Sequence, residues 1–196
     1  MTETHRREIS RLWERKVAQD ASSLSNAERH RNLHPDSAEL LHALAVGLRV
    51  KRAVEIGGSS GISTIALAAA MQATGGTLIS LEIEPRRQAE SKETTARLGL
   101  DVHVDYRLGD AGAALPAIAD VEMALIDCEK QDYVRFFDRL RMRAGGVVVA
   151  DNVLSHHLTE YASAPFGPLG LDIRCTAKAA WSRSRSNSMP VASINA

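Results

Sequence analysis

Residues 53–82 read AVEIGGSSGISTIALAAAMQATGGTLISLE, and the reading of this stretch decides the fold. AVEI and TLISLE are short apolar runs of strand length with acids at or near their ends. Between them GISTIALAAAMQA is alanine-rich and reads as a helix. The junction GGSSG bends a strand into a helix, the kind of turn at which backbone amides hold a ligand. Strand, glycine turn, helix and second strand together make a βαβ unit.

Working outward, the same alternation continues toward the C-terminus. A polar helix starts near Pro85 and ends at Gly99, a plausible helix-terminating glycine. DVHVDYRL alternates strictly, whereas VEMALID and GVVVADN are nearly continuous apolar runs with the helix YVRFFDRL between them. Continuous runs are buried on both faces and strict alternation marks a half-exposed strand. The pattern therefore puts residues 101–108 at a sheet edge and residues 53–56, 121–127 and 146–151 near its centre. The fold predicted is α/β: a Rossmann-like open, mostly parallel twisted sheet with helices on both faces. Ligands of such sheets bind beyond the carboxyl ends of the strands, which here carry Glu55, Glu82, Asp110, Asp127 and Asp151.

Toward the N-terminus, Ile9, Leu12, Trp13 and Val17 lie at helical spacing within residues 5–20. After the polar SSLSNAERHRNLHPD, a second helix starts beyond Asp36 with Leu40, Leu41, Leu44 and Ala45 on its inner face. These helices either cover a cleft or form a homodimer contact, and show no chemistry of their own. The division expected is residues 1–48 as helices packing on the domain, 49–176 as the α/β domain and 177–196 as a disordered tail. Only LDIRCT looks strand-like after residue 161, and the serine-rich SRSRSNS lacks periodicity.

Composition narrows the class. The chain of 196 residues is 44% hydrophobic and 24% charged, with a formal net charge of zero. That balance argues against a broad electrostatic grip on nucleic acid or an anionic membrane. No apolar run approaches the roughly 20 residues that span a bilayer. Two cysteines, Cys128 and Cys175, make neither a disulfide framework nor a metal spacing, which suits a reduced cytoplasmic setting. Asp127 and Glu129 flank Cys128 and raise a thiol pKa, arguing against a nucleophile.

The glycine turn excludes two ligand classes. A phosphate loop needs Lys-Ser/Thr after its last glycine, where this chain has Ile62-Ser63. A dinucleotide fingerprint needs glycines at 57, 59 and 62, where this chain has Gly57, Ser59 and Ile62. What remains is Glu55-x-Gly57-x-x-x-Gly61 followed by the strand-end acid Glu82. Glu82 can accept from ribose hydroxyls, Glu55 can attract an ammonium or orient the loop, and Asp110 lies where an adenine would reach. A phosphate-free adenosyl ligand with a cationic amino acid end fits, namely S-adenosylmethionine (SAM).

Over about residues 35–160 the chain resembles the class I methyltransferases, and more narrowly the metal-dependent small-molecule O-methyltransferases, the catechol and caffeoyl-CoA group. VEIGGSSGIST is similar to the family's cofactor loop, LEIEP to its ribose-binding segment and GDA to its adenine segment. IDCEKQDY and VVVADNVLSH are similar to its two metal segments, the more specific part of the match. The resemblance implies cofactor contacts from Glu55, Gly57, Gly58, Ser59, Gly61, Ser63, Glu82, Ile83, Asp110, Ala111 and Asp127. It implies a metal held by Asp127, Asp151 and Asn152, an oxygen donor set that favours Mg²⁺ or another hard divalent cation. Lys130 matches the lysine the family uses near the reacting hydroxyl, so Lys130 and Asp127 are the catalytic expectation. Lys130 either takes a proton or stabilises a phenolate. Tyr133 reads as core packing, and His156 and His157 as loop histidines near a substrate pocket. The acceptor implied is a small hydroxylated molecule, phenolic or catechol-like. The family closes its sheet with an antiparallel hairpin, for which this chain offers an incomplete or atypical segment. A SAM-binding protein with weak or lost catalysis is therefore the alternative, and a nicotinamide oxidoreductase the least supported reading.

Overall fold

A computed structural model describes residues 1–25, 28–151 and the backbone of 172–175. Asn152, His156, His157 and the tail 177–196, all singled out in the sequence, lie outside the described residues. Two helices, α1 (Glu3–Asp20) and α2 (Pro35–Gly47), precede the sheet. Then β1 (Arg52–Ile56), α3 (Ile62–Thr74), β2 (Thr77–Glu82), α4 (Pro85–Arg97) and β3 (Val104–Leu108) follow. The second half is α5 (Ala111–Ala114), β4 (Val121–Ile126), α6 (Tyr133–Arg139), β5 (Met142–Ala150) and β6 (Asp172–Cys175). Among the described residues no helix is long and apolar enough to cross a membrane.

The sheet order is β3-β2-β1-β4-β5-β6, parallel throughout except for β6, which runs antiparallel to β5. The expectation of an open, mostly parallel sheet with residues 101–108 at its edge is met. The edge strand is shorter than its alternation suggests, because Asp101–His103 form a 3₁₀ turn and pairing starts at Val104. LDIRCT supplies β6, whose Asp172 sits opposite Ala150.

Right-handed crossovers put helices on opposite faces as the chain winds outward in opposite directions. Ala53, Leu78, Met123, Leu125, Val147 and Val149 point to the side of α1, α2 and α3. Their neighbours Val54, Ile56, Ile79, Leu81, Ala124, Ile126, Val148 and Ala150 point to the side of α5 and α6. This is the period-two alternation of a strand, hidden in the sequence because both faces are apolar. Helix α3 is buried at every position from Ile62 to Met71, enclosed by the sheet and α2. Its alanines at 66 and 68–70 let both neighbours approach closely.

Candidate active site

The crossovers from β1 and from β4 leave in opposite directions, so the loops after these adjacent strands diverge and open a cleft. A cavity of about 430 Å³ lies there. Of the predicted cofactor residues, Gly57, Ser59, Glu82, Ile83, Asp110, Ala111 and Asp127 line it.

The glycine loop is pressed against the end of β4. Gly57 has φ +92°, and a Cβ on it would stand 2.1 Å from the Asp127 carbonyl oxygen. Any side chain there collides with rigid backbone. Ser59 also takes a left-handed backbone, φ 46°, unusual for a residue with a Cβ. Two contacts hold it: its N–H donates to Glu82 Oε2 at 2.8 Å, and its hydroxyl accepts from the Arg31 amide at 3.2 Å.

Glu82 is the most densely engaged acid of the cleft. Besides Ser59, the amides of Ile83 and Glu84 both donate to Oε1 at 2.9 Å. A carboxylate has about four acceptor sites, so about one, on Oε2, is left for a ligand hydroxyl. Ile83 beside it is 70% exposed, an apolar side chain at the cleft wall that no core position requires. Asp110 caps the short α5 by accepting from the Gly112 amide at 3.0 Å, and pairs with Arg135 at 2.5 Å.

Glu55 faces the other way. It does not line the cavity; it is fully buried and accepts from the Thr64 and Ser80 hydroxyls, each at 2.8 Å. Burial pushes its pKa up, opposed by the surrounding hydroxyls of Ser63, Ser80 and Thr64. Of the two sequence readings, attracting an ammonium or orienting the loop, the geometry supports the second. Gly58 belongs to the same device, since a Cβ there would meet Glu55 Oε2 and Ser80 Oγ at 2.8 Å. Gly61 starts α3 with φ +112°, and Ser63 is buried inside that helix; neither lines the cavity.

The opposite wall carries the predicted chemistry. Ile126 and Ala150 are register partners, so Asp127 and Asp151 follow adjacent strand ends. The Asp127 amide continues the ladder to Ile56 O at 2.9 Å, and the Asp151 amide to Ile126 O at 3.2 Å. Asp127 is pushed well above the usual carboxylate range, chiefly by burial and next by the negative charge of Asp151, with Lys130 opposing. Two neighbouring carboxylates that repel each other, Asp151 buried and Asp127 partly so, favour either a shared proton or a bound cation. Among the described residues no group of three or more His, Cys, Asp or Glu side chains is placed to hold a metal. Asp127 and Asp151 are two of the three oxygen donors expected from the sequence, and carboxylates are the chemistry that suits a hard cation.

Lys130 lies on the cavity wall with Nζ 3.8 Å from Asp127 Oδ1. Nζ also donates to the Tyr133 hydroxyl and, at 3.2 Å, to the Asp151 carbonyl oxygen. The Tyr133 hydroxyl in turn donates to that same carbonyl at 3.0 Å. Cys128 is pushed up to about 12 by burial and by Asp127, so its thiol stays protonated.

The sequence reading missed the roof. Residues 29–32, between α1 and α2, line the cleft with Lys16 and Asp20. Asn32 and Ser60 exchange hydrogen bonds at 2.8 and 3.1 Å, Arg87 donates to the Arg29 carbonyl at 2.9 Å, and Arg31 pairs with Glu129. Of the two N-terminal helices only the end of α1 reaches the cleft, and the connector brings polar groups of its own. The only signal was a polar cluster, HRN, in an otherwise unstructured connector. Tyr133 is core, as its packing reading holds, and its hydroxyl also touches Lys130 and the Asp151 carbonyl behind the cavity wall.

An open doubly wound sheet with strand-end acids around a switch-point cleft is a Rossmann-like fold. A sequence profile of the O-methyltransferase family matches residues 12–162, and the chain belongs to that family. Catechol O-methyltransferase of Niastella koreensis is 34% identical over 130 residues, 63% of this chain and 58% of the relative. Catechol O-methyltransferase of Mycobacterium tuberculosis is 31% identical over 121 residues, 59% of this chain and 54% of the relative. The chain thus spans little more than half the length of these relatives. An O-methyltransferase from Streptomyces achromogenes involved in tomaymycin synthesis, solved in complex with SAM, superposes with a TM-score of 0.63. It is 26% identical, and the match covers 80% of this chain and 70% of that one.

Proposed function

We propose that this protein transfers the methyl group of SAM to a hydroxyl of a small phenolic or catechol-like acceptor, with Mg²⁺ held at Asp127, Asp151 and Asn152. The observation that carries the reading is the pairing of two walls on one cleft. One wall bears a carboxylate anchored by three backbone amides, Glu82; the other bears Asp127 and Lys130, with the buried Asp151 behind them at the adjacent strand end. The relatives named for catechol O-methylation and the neighbour solved with SAM support the same assignment.

In this reading Glu82 accepts from the ribose, Asp110 and Ile83 bracket the adenine, and the backbone at Gly57 and Ser59 lies along the amino acid end. When bound, SAM would supply an electrophilic methyl sulfonium, and a hard cation held by Asp127, Asp151 and Asn152 would lower the acceptor's pKa. Lys130 Nζ stands at the cleft wall, where it takes the hydroxyl proton or balances the phenolate charge. The roof at residues 29–32 excludes water from the reacting centre.

Calorimetric titration with S-adenosylhomocysteine, and separately with NADH, tests the donor assignment. Saturable binding of the first and none of the second is expected; binding of NADH instead would return the chain to the oxidoreductase reading.

A further inference from the structure

Tyr133 is the buried group whose packing leaves something unexplained. Its ring is 1% exposed and packs in the core beneath β4 and β5 with Ile126, Phe136 and Ala150. A buried tyrosine hydroxyl needs a partner, and the Asp151 carbonyl at 3.0 Å already provides one. Packing and satisfaction are complete without Lys130. Yet Lys130 folds back across one helical step, places Nζ 4.4 Å from the ring centroid, and donates to both the Tyr133 hydroxyl and the Asp151 carbonyl. A lysine is a flexible four-carbon stem that loses considerable rotamer freedom when fixed. Here two neutral oxygens fix it, while the Asp127 carboxylate stays at 3.8 Å, beyond hydrogen-bond distance.

We propose that Tyr133 is a positioning residue: its hydroxyl, anchored on the Asp151 carbonyl, holds the Lys130 ammonium at the cleft wall and off the Asp127 carboxylate. This rests on the reading of Lys130 as the group that serves the reacting hydroxyl. A rigid ring in the core thereby aims a flexible cation that sequence position alone would leave free. Because the same carbonyl receives both donors, the lysine and the end of β5 are held in one fixed relation. The Asp127 carboxylate then keeps its lone pairs for other partners.

The decisive experiment is NMR of the ligand-free protein labelled with ¹⁵N-lysine. A tethered ammonium exchanges its protons slowly enough to be seen, whereas a solvated one does not. The Lys130 ammonium signal, assigned by its loss in Lys130→Met, is expected in the wild type and absent in Tyr133→Phe. Persistence of that signal in Tyr133→Phe, or its absence from the wild type, overturns the proposal. This arm needs no acceptor. Methyl transfer to catechol with SAM and Mg²⁺ adds a kinetic arm, with thermal melts confirming that the variants fold. Tyr133→Phe is expected to lower kcat about tenfold with KM for catechol changed less than about twofold, and to add no loss in a Lys130→Met background. Full kcat in Lys130→Met defeats the reading of Lys130 itself. Loss in Lys130→Met with full kcat in Tyr133→Phe defeats only the positioning role.

Discussion

Replacing Glu82 by glutamine separates the two duties of this side chain. Its carboxylate accepts from three amides, two on Oε1 and one on Oε2. A glutamine must put an N–H₂ at one of these positions, facing donors. The less damaging orientation keeps the carbonyl oxygen on Ile83 and Glu84 and turns the N–H₂ toward Ser59. One charge-assisted hydrogen bond is then lost at the residue whose left-handed backbone already costs of order 1 kcal/mol. A bond of this kind is worth roughly 1.5–3 kcal/mol. Taking about 2 kcal/mol, a chain of this size melts about 4–8 °C lower. The same orientation removes the last acceptor site on the cleft side, so affinity for S-adenosylhomocysteine falls about tenfold further. Thermal denaturation of the ligand-free variant reads the first effect and calorimetry reads the second. A melting temperature within about 1 °C of wild type would refute the claim that Glu82 holds the loop. An unchanged Kd would refute its role toward the ribose.

Two further outcomes follow from buried groups. Burial raises the pKa of Glu55 above its ordinary 4.5, so the folded state binds more protons than the unfolded one. Its contribution to stability is present in full at low pH and falls as pH rises from 4.5 through the folded-state value. The stability of Glu55→Gln relative to wild type, from urea unfolding at acidic and at mildly basic pH, is therefore expected to increase with pH; a pH-independent difference would contradict this. Cys128, pushed up to about 12, is expected to react with iodoacetamide at pH 8 about a thousandfold more slowly than a free cysteine, measured in a Cys175→Ser background. Labelling at the free-thiol rate would show that the thiol is neither buried nor beside a charged Asp127.

What the sequence disclosed was local or periodic. The glycine turn, the acids Glu82, Asp110 and Asp127 and the half-exposed third strand are each visible within one element, and the structure puts these three acids on one cavity, Glu55 excepted. The face a strand residue points to was not visible in β1, because Val54 and Ile56 are as buried as Ala53 and Glu55. Glu55 therefore read as a cleft acid although period-two alternation turns it under α3. DVHVDYRL shows the opposite failure: alternation ran on through Asp101–His103, where Val102 is exposed and no strand exists. The roof was hidden because its contacts, Arg31 to Ser59 and Asn32 to Ser60, join residues far apart in the chain. Tyr133 was half legible: its apolar ring predicts burial, while the hydroxyl's partners come from Lys130 and from the end of a different strand.

The central claim is that the two walls of the cleft cooperate in methyl transfer, and label transfer from methyl-labelled SAM to catechol measures it directly. The account predicts a labelled monomethyl ether with Mg²⁺ present, abolished by chelator and by Asp151→Ala while S-adenosylhomocysteine still binds. Tight binding of S-adenosylhomocysteine with no labelled product from catechol or other vicinal diols would contradict it and mark the chain as a binding protein without turnover.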